Sequence, residues 1–428
     1  MKLKSSLNFW IIVGLAGGLI SGIFINHYVT ERPDTPVYFF SLLYGLADFM
    51  ADFFSRLLNM IIVPLVASSI ITGMTGIGSA RGFGRLGIKT MAYYLTTSLL
   101  AICTGLLIVN LVQPGIGADL GLKMSLDAIP AAGGGTLKDL LLRMVPKNLI
   151  EAMAKGEILP IIFFSILFGF FITRLGDRKR HALENFFQGF FQVMMKMTRF
   201  ILLVAPFGIF GFVSRTIGET GFDVLGKLAL YMLSVFSSLV IHACITLPLI
   251  LYFLARVNAF RHVQAMFQAL VTAFSTASSS ATLPVTIRCV EKNAGVSNRI
   301  SSFVLPLGAT INMDGTALYE CVAAVFIAQA YGISLTVTQQ FTVVITALLA
   351  SIGAAGVPMA GLVMIFIILK AVGLPDEGVG LILAVDRILD MCRTAVNVWS
   401  DSCGAVVIAH SEREKTGENR DSDLFQEG

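Results

Sequence analysis

Charge is scarce in this chain, and where it gathers it can do chemistry. The stretch Asp386–Asp401 reads DRILDMCRTAVNVWSD. On a helix turning about 100° per residue, Asp386, Asp390, Arg393, Thr394, Asn397 and Asp401 fall within an arc of roughly 100°, with Arg387 at its edge. Outside the arc, Ile388, Leu389, Met391, Cys392, Ala395, Val396, Val398 and Trp399 are apolar. The planar guanidinium fork of Arg393 suits a carboxylate ligand, and Asp390 is placed to hold a cationic amino group. The pair describes a zwitterionic substrate with an extra acid. The competing reading is plain: Asp390 and Arg393, at i and i+3, pair with each other. In water the stripe would be an ordinary amphipathic helix, so the surrounding chain decides.

A second set lies in GATINMDGTALYE (Gly308–Glu320). Asn312, Asp314 and Thr316, at i, i+2 and i+4, do not share one face of a regular helix, and Gly308 and Gly315 permit unwinding. An unwound turn frees carbonyl oxygens beside a carboxylate, which suits a small hard cation such as Na⁺. Tyr94, Thr97 and Ser98 can add oxygens to it; hydroxyls bonded back to their own helix are the equal alternative. By contrast Asp48, Asp52 and Arg56, at i, i+4 and i+8, read as a self-neutralising structural ladder.

These residues must be positioned by a very apolar chain. Of 428 residues, 55% are hydrophobic and 14% charged, with mean hydropathy +0.79, far from the roughly 25% charged of soluble domains. The chain reads as an all-α polytopic membrane protein. Cys103, Cys244, Cys289, Cys321, Cys392 and Cys403 sit in apolar segments without CxxC spacing, which argues against a metal site or disulfide framework. A net charge of +4 reflects loop bias and no nucleic-acid partner. Lys2 and Lys4 precede an apolar run with no small-residue cleavage site after it, so that run reads as a retained first span.

Spans of about 20 apolar residues are expected near 8–27, 38–75, 90–113, 146–173, 190–214, 224–255, 298–330 and 377–410. Basic residues gather in 76–89 (Arg81, Arg85, Lys89), 174–180 (Arg174, Arg178, Lys179, Arg180 against Asp177) and 256–262 (Arg256, Arg261), which makes those loops cytoplasmic. The loops 28–36, with Pro33 and Pro36, 114–145 and 215–223 then face outward, and both termini lie inside. Residues 413–428 read as a disordered cytoplasmic tail. Two apolar segments do not fit as spans: 263–292 is broken by FSTASSSATLP and 336–372 by ASIGAAGVPMAG. Halves of about 10–15 residues are too short to cross and read as re-entrant hairpins. The order hairpin, helix, hairpin, helix suggests an internal duplication around a transport site. In that setting an intramembrane carboxylate or guanidinium is a functional residue by default.

With SRLLNMIIVPLV (Ser55–Val66), YYLTTS (Tyr93–Ser98), STASSSATLP, NMDGTALYE, SIGAAGVPMAG and LDMCRTAVNVWSD in this order, nearly the whole chain resembles the dicarboxylate/amino acid:cation symporters. That family comprises archaeal aspartate transporters and animal excitatory amino acid transporters. The resemblance implies an elevator-type homotrimer with inverted repeats. Residues 1–89 would be scaffold spans 1–2, 90–113 span 3 of the transport domain, 114–223 scaffold spans 4–5, and 224–412 the rest of the transport domain, with the second hairpin as gate. It also implies a substrate site of Ser278, Ser279, Thr316, Val357, Gly361, Asp390, Arg393, Thr394 and Asn397. Up to three sodium sites would use Gly308, Asn312, Asn397 and Asp401; Tyr94, Thr97, Ser98, Asn312 and Asp314; and carbonyls of Thr310, Ser351, Ile352 and Ala354. A prokaryotic inner membrane is the expected location.

Three departures from the family pattern matter. Archaeal members carry an arginine in the first hairpin where this chain has Ala277, and animal members carry it at the position of Met391. Here Arg387 stands one turn earlier and can reach the same place as a coupling arginine. Glu320 occupies the place of a proton-carrying glutamate, since burial raises a carboxyl pKa; a glutamate hydrogen-bonded in place is the alternative. Cys392 replaces a small residue beside the arginine. The reading is Na⁺-coupled symport of L-glutamate or L-aspartate, with H⁺ co-transport and K⁺ counter-transport as further couplings. A proton-driven or C4-dicarboxylate carrier is the rival. Asp390 argues against a substrate without an amine, and Arg393 against neutral amino acids. An intramembrane hydrolase at Ser278–Ser280 lacks a base, because His27, His181, His242, His262 and His410 mostly sit at span ends. An ion channel is a further class, distinguished by steady substrate-independent current.

Overall fold

Long apolar runs have to bond their backbone internally, and here they do so as helices. A computed structural model describes residues 7–30, 38–78, 84–117, 142, 145–155, 157–220, 223–353, 360–375 and 378–412. The first helices are α1 (Leu7–Ile25), α2 (Tyr38–Gly78), α3 (Gly84–Val112), α4 (Leu149–Lys155), α5 (Ile158–Thr173), α6 (Asp177–Leu202) and α7 (Ala205–Thr220). The next, α8 (Asp223–Ile241), continues through π-turns at His242–Thr246 and Leu251–Ala255 on either side of Leu247–Ile250. Then follow α9 (Ala259–Thr276), α10 (Ser279–Lys292), α11 (Asn298–Ile311), α12 (Asp314–Ala330), α13 (Val337–Gly353), α14 (Ala360–Val372) and α15 (Val379–Ser411). Among the described residues no strand occurs. Among the described residues, three runs are long and apolar enough to cross a membrane: Arg85–Val112, Gly226–Ala255 and Asn298–Ala330.

The helices pack as two neighbourhoods that share one apolar core. In one, α1 lies along α7, and α2 packs on α5, α6 and α7. Gly14, Gly18 and Gly22 let α1 approach so closely that an added Cβ would meet the backbone of Pro206 and Phe210 or the side chain of Ile217, the small-residue packing that brings helices together in lipid. In the other group, α12 is buried along its length except at Gln329, enclosed by α3, α8, α13, α14 and α15. The helix pair α9–α10 packs against α15. Its link is two residues long: Ala277 adopts a left-handed φ of 48° and Ser278 accepts from the amide of Ala281 at 3.2 Å, capping α10.

The boundaries depart from expectation in four places, the first being the span expected over 146–173, which is two helices, α4 ending at Lys155 and α5 starting at Ile158. Residues 190–214 do not form a single helix, because α6 ends at Leu202 and α7 starts at Ala205. Pro206, with fixed φ and no N–H, belongs in the first turn of a new helix and cannot continue an old one. The basic loop 174–180 is shorter than read, since α6 begins at Asp177, and the loop 215–223 is largely helix, since α7 reaches Thr220. The acidic ladder of α2 is neutralised differently too. Arg215 of α7 stands 3.0 Å from Asp48 and 3.7 Å from Asp52, a tertiary pairing where a pairing with Arg56 within α2 was expected. The tail 413–428, most of the loop 114–145, Ala354 and Val357 lie outside the described residues.

Candidate functional site

The charged stripe is a face of α15, and nothing on that face meets water. Asp386, Asp390, Arg393, Thr394, Asn397 and Asp401 are all buried. Burying a guanidinium without partners is prohibitive, and Arg393 is fully enclosed by them. Its Nε donates to Asp390 Oδ1 at 3.0 Å, Nη2 stands 2.8 Å from the same oxygen, and Nη1 donates to Asp386 Oδ1 at 3.0 Å. Tyr319 of α12 donates its hydroxyl to that Asp386 oxygen at 2.6 Å, and its ring lies 4.3 Å from the guanidinium carbon, a cation–π contact in a site without competing water. On the other side lies Gly361 of α14. A Cβ there would stand 2.8 Å from Cζ and Nη1 of Arg393, so a side chain at this position would force the guanidinium to shift. The i, i+3 pairing of Asp390 with Arg393 is therefore present in the structure. Arg387, 15% exposed at its side chain, points Nη1 at Asp390 Oδ2 from 3.5 Å.

A second polar centre sits farther along α15, where α11 and α12 meet. The chain breaks helical form at Asn312 (φ −90°, ψ 84°) and Met313 (φ −116°, ψ 57°), as the Asn312–Thr316 spacing predicts. Asp314 Oδ1 accepts from Ser98 at 2.6 Å and lies 3.2 Å from the Thr97 hydroxyl, which is equally close to the Tyr94 carbonyl of its own helix; Asp314 Oδ2 accepts from Ser400 at 2.6 Å and faces His242 Nε2 at 3.2 Å. Asn312 donates through Nδ2 to Asp401 Oδ1 at 2.9 Å and to Ser400 at 3.0 Å, which fixes its amide orientation. Its Oδ1 then faces Thr97 at 3.4 Å. Asn312 Oδ1, Asp314 Oδ1, Thr97 and Ser98 thus bring their oxygens together with only the two hydroxyl protons between them. A buried oxygen-rich, proton-poor cluster holding a carboxylate is chemistry for a hard cation. Gly308 closes it: a Cβ there would collide with Asp401 Oδ1 and stand 2.7 Å from the hydroxyl of Tyr94.

The remaining expected residues divide. Asn397 joins the two centres: it accepts from the Gly315 amide at 2.8 Å and donates to Thr316 Oγ1 at 3.0 Å, and its bonds go to that turn and not to Asp401. Thr394 and Ser279 are buried. Tyr94 donates to the Val304 carbonyl at 2.7 Å. Thr310 is exposed and bonds back to Leu307 at 2.9 Å, and Ser351 bonds back to Leu348 at 2.9 Å, so neither side chain reaches the others. Ile352 lies in the last turn of α13. Both carboxylate oxygens of Glu320 are buried with no hydrogen-bond partner among the described residues, which removes the alternative of a glutamate bonded in place.

Four residues of these centres were missed as site members. Asp386, two turns from Arg393 on the same face, was legible as part of the stripe. Ser400 falls about 20° outside the arc and was discarded by its edge. His242 is no span-end residue: it lies inside Gly226–Ala255 and is fully buried, and an ionisable group in the middle of an apolar run is itself a signal. His262 is buried as well, bonded to Ser402 at 3.2 Å and tilted on Trp399. Tyr319 has no signal in the sequence, because it comes from another helix.

The family model described as the sodium:dicarboxylate symporter family matches residues 7–411. An excitatory amino acid transporter of Caenorhabditis elegans is 39% identical over 85% of this chain and 81% of its own length. Human excitatory amino acid transporter 3 is 36% identical over 94% of this chain and 85% of its own. The proton/glutamate-aspartate symporter of Escherichia coli is 36% identical over 96% of this chain and 94% of its own.

Proposed function

Because the chain belongs to the sodium:dicarboxylate symporter family, and is a membrane transporter and not an enzyme, we propose that it carries L-glutamate or L-aspartate inward with Na⁺. The observation that supports this is one helix, α15, bearing the buried Arg393 clasp and, about two turns on, Asp401 of the oxygen cluster. An acidic amino acid can enter by exchange. Its amino group takes Asp390 and its side-chain carboxylate takes Arg393, so each buried charge trades one partner for another. Asp386 and Tyr319 keep the guanidinium in place meanwhile. A substrate lacking either group leaves a buried charge unpaired, which costs several kcal/mol; C4-dicarboxylates and neutral amino acids are disfavoured on that ground.

On this reading α9–α10 and α13–α14 are re-entrant hairpins, and the second is the gate, since Gly361 covers Arg393 directly. The protein works as a homotrimer with eight spans, its transport domain sliding against the scaffold, with both termini cytoplasmic. The test is uptake into proteoliposomes with external Na⁺, pH and internal K⁺ varied independently. Acidic amino acid uptake is expected to require external Na⁺; uptake driven by a pH gradient in its absence overturns the reading.

The partnerless carboxyl of Glu320 favours a proton as an additional co-ion. The name of the Escherichia coli relative points the same way. Uptake by Glu320→Gln is expected to lose the pH dependence of the unaltered protein, and retained dependence rejects proton carriage by this residue.

A further inference from the structure

Asp314 is gripped from three sides, one of them His242, whose Nε2 stands 3.2 Å from Oδ2. Ser98 and Thr97 of α3 bind Oδ1, while Ser400 of α15 donates to Oδ2 at 2.6 Å. Ser400 is fully buried, and its hydroxyl does not bond back to its own helix. Ser165, Ser234 and Ser238 bond back to carbonyls one turn earlier at 2.7, 2.8 and 2.6 Å, the usual resort of a helical serine. Ser400 instead spends both roles on tertiary partners: it donates to Asp314 and accepts from Asn312 Nδ2 at 3.0 Å. The same Asn312 nitrogen donates to Asp401 Oδ1 at 2.9 Å. One hydroxyl therefore connects Asp314 to Asn312, and through the amide to Asp401. Its backbone carbonyl is held in turn by the hydroxyl of Tyr93 at 3.3 Å.

We propose that Ser400 is a positioning residue for the coupling cation, which ties the Asp314 and Asp401 positions into one cooperative unit. Together with His242 it occupies Asp314 Oδ2, which leaves Oδ1 for the ion. By holding Asn312 Nδ2 it turns Asn312 Oδ1 toward Thr97 and Asp314 Oδ1. When the ion arrives, Thr97 and Ser98 turn lone pairs to it, whereas Ser400 keeps its bonds and transmits the order of one position to the other. This inference rests on the Na⁺-coupled reading above and assigns it a residue outside the expected ligand set.

The test uses the full chain with Ser400→Ala and Ser400→Gly. Two curves are measured: the rise in thermal unfolding temperature with Na⁺, which reads binding without transport, and the Na⁺ dependence of uptake at saturating acidic substrate. Losing a hydrogen bond to a charged group is expected to raise the Na⁺ half-saturation about tenfold or more and to lower the Hill slope in both curves. The substrate KM at saturating Na⁺ stays unchanged; a merely structural role would move it together with the Na⁺ curve. The glycine variant removes the hydroxyl by a second route and must shift the curve in the same direction. Na⁺ curves of both variants superimposed on a responsive unaltered protein overturn the role of Ser400 alone. An unaltered protein indifferent to Na⁺ in both assays overturns the Na⁺-coupled reading beneath it.

Discussion

Arg393 has no freedom to be approximate. Two carboxylates and a tyrosine ring hold its guanidinium, and the bare backbone at Gly361 approaches it closely. The sharpest probe is the smallest change. Gly361→Ala would put a methyl group 2.8 Å from the guanidinium carbon, and overpacking of this kind costs about 1–3 kcal/mol. The KM for acidic substrate is expected to rise about tenfold or more in uptake assays, with little change in the Na⁺-dependent thermal shift. Asp390 and Arg393 were legible as a pair that could bind a ligand or bind each other. Sequence could not choose, because the same charge complementarity serves either pairing.

At the scale of elements, the decisive feature is a helix that stops and restarts. Gly308, Asn312 and Gly315 announce the α11–α12 break, and the break turns Asn312 and Asp314 toward α3 and α15. Gly308 must stay bare for Asp401 and Tyr94 to converge there. Gly308→Ala is accordingly expected to weaken Na⁺ binding, read as a smaller Na⁺-dependent rise in unfolding temperature, while leaving the Arg393 centre intact. Apolar runs announced the helices, but the α6–α7 division did not show. There Pro206 starts a helix inside a run whose hydropathy is continuous, and hydropathy carries no information on backbone direction.

Over the whole molecule, the far end of α15 is tied to the near end of α3. Glu412 meets Arg85 at 2.7 Å and Lys89 at 2.6 Å, and Lys89 also donates to the Ser411 carbonyl at 3.0 Å. Hydrogen bonds from Arg85 and then Lys89 hold the Glu412 carboxyl down at about 2. A depressed carboxyl pKa means that the tie contributes above the unfolded value of about 4.3 and is lost as pH falls toward about 2. Hydrogen exchange at the start of α3 is expected to speed up across that window, and Glu412→Gln to show the faster exchange already at neutral pH with uptake retained. This contact spans more than 300 positions of sequence, and nothing local announces it. What the sequence determined by itself was whatever follows from composition and period. Those are membrane residence, helices with two broken segments, a polar face on α15, an unwound turn rich in oxygen, and the family those motifs mark. The tertiary structure alone decided who meets whom across helices: Tyr319 on Asp386, Ser400 and His242 on Asp314, Arg215 on the acids of α2, and Glu320 with no hydrogen-bond partner among the described residues. Period is a property of one helix, whereas a buried charge is satisfied by whichever neighbour the packing brings within hydrogen-bond reach.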